Sequence, residues 1–167
     1  MAGRRTRLRR PRRPPARLRP PAARPRRRHP RPHPGPRGGP VSDLHVYEYA
    51  VLHVVPRIER GERINAGVLV YCRPLSYVGA RTHLDEARLL ALDPAADVPG
   101  VQAALRAVEG VCAGGDAAGQ AAQDDPGRRF RWLIAPRSTI VQPGPVHTGL
   151  TADPGAETER LLDLLVR

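Results

Sequence analysis

Val46-Tyr-Glu-Tyr-Ala-Val-Leu-His-Val-Val55 and Ile64-Asn-Ala-Gly-Val-Leu-Val-Tyr-Cys72 are the two runs whose reading decides the fold. Both are rich in β-branched and aromatic residues, which suit a pleated surface. The first is nearly apolar on both alternating faces, the pattern of a strand covered on both sides. Pro56 ends it. The charged stretch Arg57-Ile-Glu-Arg-Gly-Glu-Arg63 lies between the runs, with Gly61 as the natural pivot. Together they predict an antiparallel hairpin with a longish loop. Asn65 and Gly67 stand out inside the second run. A glycine there permits a bulge or the close approach of a ligand.

Working outward, Tyr77 to His83 reads as a shorter third strand after the Arg73-Pro74 break. Asp85 to Leu92 predicts a short helix, with Asp85 and Glu86 at its positive end. Asp97 is a cap, with Pro99 in the first turn of a second helix. Val101, Leu105, Val108 and Cys112 recur at helical intervals on one face, and Gly114-Gly115 stops that helix. Residues 114–127 read as a loop. Arg129 to Ile134 alternates in a way that predicts a strand, with Phe130 and Trp132 on one face. Ser138 to Gln142 reads as a last strand interrupted by Pro143-Gly144-Pro145. Asp153-Pro154 caps a final helix carrying Leu161, Leu162 and Leu165. The expected class is α+β, an antiparallel sheet with helices packed on one face.

The chain has 167 residues and a formal charge of +12, but the charge is unevenly placed. Residues 1–40 hold fifteen arginines, eleven prolines and no acid, leaving residues 41–167 with 13 arginines against 16 acids, a net of −3. Residues 1–40 are therefore expected to be a disordered, extended arginine/proline leader, and residues 41–167 the folded domain. A GTG codon at Val41 behind a ribosome-binding sequence coding Gly38-Gly39 would place the translation start at Val41. If the leader is translated, it is a candidate nucleic-acid tail held by counterion release, although no aromatic residue interleaves its arginines.

The chain contains no lysine, so a Schiff-base lysine and the usual phosphate-binding loop are excluded. Cys72 and Cys112 match no common metal or disulfide spacing and read as buried apolar residues of a reducing cytoplasm. No apolar run reaches the eighteen or so residues of a membrane helix, and no secretory h-region follows the positive leader. Dinucleotide-binding, zinc-protease and nucleophile-elbow motifs are missing too. No cofactor and no metal site is expected.

Two polar clusters remain as candidates. Arg137, Ser138 and Thr139, with His147 and Thr148, flank the Pro-Gly-Pro turn and could grip a phosphate or carboxylate. Alternatively, their hydroxyls bond local backbone. Arg57, Glu59, Glu62 and Asn65 could form a site at the hairpin end, with a glutamate as acid–base group, or a solvated turn. His53 fits a satisfied core histidine. Arg129-Phe-Arg-Trp132 fits either a basic-aromatic surface or an amphipathic element with its rings in the core.

The phrases Tyr47-Glu-Tyr-Ala-Val-Leu52, Val55-Pro-Arg-Ile-Glu-Arg-Gly-Glu62 and Asn65 to Cys72 resemble a bacterial family, the domain-of-unknown-function 3037 family. The likeness continues through His83-Leu-Asp85 and Arg128 to Trp132. Actinobacterial members look similar again across Ala135 to Thr139 and Pro145 to Pro154. It covers roughly residues 43–167 and implies no activity. The resemblance implies at most a protein partner, a kinase of the toxin–antitoxin type. Three functions stay open: a non-catalytic partner-binding module, an enzyme or phosphate-ligand binder using the Arg137–Thr139 and His147 loops, and nucleic-acid binding through the leader.

Overall fold

Strand β1 (His45–Val54) pairs antiparallel with β2 (Ile64–Cys72), and Gly61 turns the loop between them at φ +69°. β2 pairs in turn with β3 (Tyr77–Thr82), and β1 takes β4 (Val141–Thr151) on its other side. The result is a four-stranded antiparallel sheet in the order β3-β2-β1-β4. The structure, a computed structural model, describes residues 43–115 and 119–167. The expectations for residues 1–40 lie outside them.

β2 is the strand that organises the rest, because both of its faces are buried. Side chains alternate across a strand, so two covers are needed. Leu69 and Tyr71 point to one side, against Val111 and Cys112 of α2 (Val98–Ala113) and Phe130 of α3 (Pro126–Leu133). Ile64 and Ala66 meet Leu89 of α1 (Glu86–Leu92) and Leu105 of α2. Val68, Val70 and Cys72 point the other way, against Leu161, Leu162 and Val166 at α4 (Pro154–Leu165). The α+β class and the antiparallel sheet are as expected. The helices, however, divide between the faces: α1 to α3 cover one, and α4 covers the other. Cys72 and Cys112 are buried free thiols on opposite sides of the sheet.

Local chemistry starts each helix. Asp85, Asp97, Asp125 and Asp153 all accept backbone N–H groups at helix N-termini, and prolines occupy the first turns of α2, α3 and α4. This corrects the reading of Arg129 to Ile134 as a strand. Asp125-Pro126 opens a helix there, Phe130 and Leu133 bury one stripe, and Trp132 is 50% exposed on another. The final strand is also longer than expected. β4 begins at Val141 and runs through Pro143-Gly144-Pro145 to Thr151, with a register shift opposite Ala50 to Leu52. An edge strand tolerates proline because no neighbour needs its N–H.

A second register shift places Leu52 against Gly67 and His53 against Asn65, with Ala66 as the extra residue of a bulge. Gly67 is required by space. A Cβ there would sit 2.8 Å from the Arg81 carbonyl oxygen and 3.0 Å from Thr82 Cγ2. Gly67→Ala is expected to lower stability by roughly 1–3 kcal/mol. Urea denaturation would show this as a reduced midpoint, and an unchanged midpoint would contradict the crowding described.

Candidate functional site

A groove of about 670 Å³ runs along α2. Its floor is the helix face bearing Gly100, Ala104, Ala107 and Val108. Gly100, Ala104 and Ala107 are small and recur at intervals of four and three, so they share a face and leave the helix backbone close to the surface. One wall is Trp132 and Leu133 at the end of α3. The other is Ile58 from the hairpin loop and Ile140 before β4.

Three interactions hold the walls. Val55 N–H donates to Ile140 O at 2.8 Å, tying the segment after β1 to the one before β4. Arg57 pairs with the nearly buried Asp93 at 3.5 Å, which fixes the base of the loop carrying Ile58. Arg137 donates to the Trp132 and Leu133 carbonyls at 2.5 and 3.3 Å, and its guanidinium lies 4.8 Å from the Trp132 ring centre. It therefore closes the last turn of α3 and holds the indole by a cation–π contact. At the far end of α2, Gly114 takes φ +81° and Arg129 donates to the Val111 and Cys112 carbonyls.

The groove gathers Arg137, Ser138 and Thr139 at its rim. It does not gather the other sequence candidates. Thr139 Oγ1 donates to Val141 O at 2.7 Å. His147 lies on the opposite face of the sheet, its ring 5.2 Å from that of Tyr49. Thr148 alternates back and sits in register with Glu48. Glu59 is 3.9 Å from Arg57, and Glu62 pairs with Arg60 at 2.8 Å in the exposed turn. Among the described residues, no three His, Cys, Asp or Glu side chains come together as a metal site, and no helix is long and apolar enough to cross a membrane. The groove itself is hard to foresee, since α2, Trp132, Ile58 and Ile140 are scattered along the chain. The half-exposed Trp132 is its one visible signal.

Asn65 serves the fold. Its Nδ2 donates to Leu165 O at 2.8 Å, so its Oδ1 faces His53 Nδ1 at 3.0 Å. That orientation makes Nδ1 the protonated nitrogen of the neutral ring. Burial, then the charge of Arg63, holds His53 below the ordinary imidazole range, against the raising effect of the Asn65 bond. On the same face, Tyr47 donates to Glu157 at 2.5 Å. Burial and this carboxylate push the phenol up to about 12, while Arg160 holds Glu157 below the ordinary carboxylate range. Burial also pushes the Cys112 thiol up to about 12, which leaves it protonated and unreactive at neutral pH.

Because the folded state prefers neutral His53, its contribution to stability is complete above about pH 6.5. It is lost as pH falls through the lower folded value. Wild-type protein should lose more stability between pH 7.5 and 5 than His53→Gln. Equal losses in paired urea titrations would contradict the assignment.

A family model described as "Protein of unknown function (DUF3037)" matches residues 49–166. No curated protein and no solved structure matches the chain.

Proposed function

This chain belongs to the DUF3037 family, and from its own geometry we propose that residues 41–167 form a non-catalytic module that binds a partner protein by accepting an amphipathic helix along α2. The observation that carries this reading is the groove's construction. Its lining is chiefly apolar, and its floor of Gly100, Ala104 and Ala107 allows a second helix to approach closely. The floor from Gly100 to Val111 spans ~16 Å at the helical rise, room for about three turns of a bound helix. Trp132 and Ile140 stand half-exposed at its sides, suited to packing between the apolar side chains of such a helix.

The polar residues at the rim also fit this reading better than catalysis. Arg137 is occupied by backbone carbonyls and the Trp132 ring. Of the acid–base candidates Glu59, Glu62 and His147, none lines the groove, and the carboxylate that does, Asp97, accepts the Gly100 N–H at 3.0 Å as the cap of α2.

Trp132 is the chain's single tryptophan, so its fluorescence reports occupancy of the groove directly. A displayed library of helical peptides should yield binders that shift its emission to shorter wavelength. Ala107→Glu, at an exposed position of α2, would place a carboxylate on the floor and weaken those binders about tenfold or more. If selected peptides bind this variant undiminished, or if only small apolar molecules shift the emission, helix binding in the groove is wrong.

A further inference from the structure

The two edges of the sheet are treated differently. On β3, the Thr82 N–H is taken by Glu109 Oε1 at 2.9 Å, and Arg81 pairs with Glu159. Charged side chains and a covered donor are the usual protection of an edge. β4 has neither over its second half. The strand contains no charged residue from Val141 to Thr151, and its prolines stop at Pro145. Among the described residues, no side chain bonds the backbone of Val146 to Leu150. Among the described residues, what remains is Val146-His-Thr-Gly-Leu-Thr151, an extended edge that no other segment covers.

The side chains there fit a copy of themselves. Val146, Thr148 and Leu150 alternate onto one face, and Leu150 stands beside Val46 of β1 in register. Val146, Leu150 and Val46 are 39%, 60% and 56% exposed. A two-fold axis through Thr148 would run two β4 strands antiparallel. Val146 would then meet Leu150 of the other copy twice, and Thr148 would meet itself. On the opposite face, His147 would meet Gly149, which has no side chain to obstruct the ring. The exposed Val46 and Leu150 then form one apolar row with the exposed Val146 of the second copy, a row that ends on that copy's buried Ala50. Shifting the register by one residue would place Val146 against Gly149 or Thr151 and break the row.

We infer that the β4 edge is a homodimer contact, in which Val146 to Leu150 pairs with its own copy to make one continuous eight-stranded sheet. The contact is isologous, so it closes at two copies. It is small, since pairing is confined to the proline-free half of the strand, and it forms a weak dimer, on the order of micromolar. It is independent of the groove on α2.

The test uses the full-length chain in sedimentation velocity across a wide concentration range. The expected result is a reversible monomer–dimer equilibrium. Thr148→Glu would set two carboxylates against each other on the axis and shift the chain to monomer with an unchanged urea midpoint. Ala107→Glu would leave the dimer intact, which separates this contact from the groove. Register is read by cross-linking. Thr148→Cys would form an intermolecular disulfide under mild oxidation, because residues facing each other across a strand pair lie within disulfide reach. Val146→Cys alone would not, but a mixture of Val146→Cys and Leu150→Cys chains would. A chain that stays monomeric throughout, or a dimer that Thr148→Glu does not weaken, overturns the inference. So does an edge that pairs only with a peptide from another protein.

Discussion

Burial of β2 on both faces is the constraint that the remaining elements satisfy. A strand carrying Leu69 and Tyr71 on one side and Val68, Val70 and Cys72 on the other cannot border water with either face. One helical layer would leave half of these side chains exposed, at about 1.5–3 kcal/mol for each large one. The chain therefore places α1 to α3 on one side and α4 on the other. The bulge at Ala66 follows from the same crowding. It lets Ile64 and Ala66 join the α1–α2 side while Asn65 turns to the α4 side and bonds the last turn of that helix.

Elements governed by local chemistry were legible in the sequence. The hairpin, β3 and the helices opened by Asp85, Asp97 and Asp153 depend on cap, turn and periodicity signals within a few residues. Arg129 to Ile134 misled because alternation of arginine and aromatic residues over so short a span also fits a helix that buries Phe130 and Leu133. The decisive signal was Asp125-Pro126, the same opening that α4 uses. The sequence stops the last strand short because Pro143 and Pro145 exclude a central strand. They do not exclude an edge strand, and edge position is a property of the assembled sheet. The two-sided distribution of helices was likewise hidden, since continuous apolar character in β1 and β2 says that both faces are covered without saying by what.

The candidate site shows a different limit. By sequence Arg137 suits an anion ligand, as an arginine in a loop with hydroxyl neighbours. Its guanidinium donates to the Trp132 and Leu133 carbonyls and lies over the Trp132 ring, acceptors for which the sequence gives no address. Asn65 looked odd within an apolar strand and is so for a structural reason, as the bridge between His53 and Leu165. The groove came from apolar and small residues that no polar motif marks, and from the meeting of segments separated by up to about 80 positions. In this chain the polar residues explain how the walls are held. The apolar ones explain what the surface can receive.

The Asn65–Leu165 and Tyr47–Glu157 bonds join residues 100 and 110 positions apart, and that spacing has a consequence for how the chain is made. During synthesis, β1 and β2 leave the ribosome with neither β4 beside them nor α4 over Val68 and Val70. At translation speeds of about 5–20 residues per second, the hairpin waits some seconds for its missing cover. Contacts so distant in sequence also make for slow folding. Over that interval the two most apolar strands of the molecule are an adhesive surface, and a chaperone that holds extended apolar segments would find its best grip on residues 46–55 and 64–72.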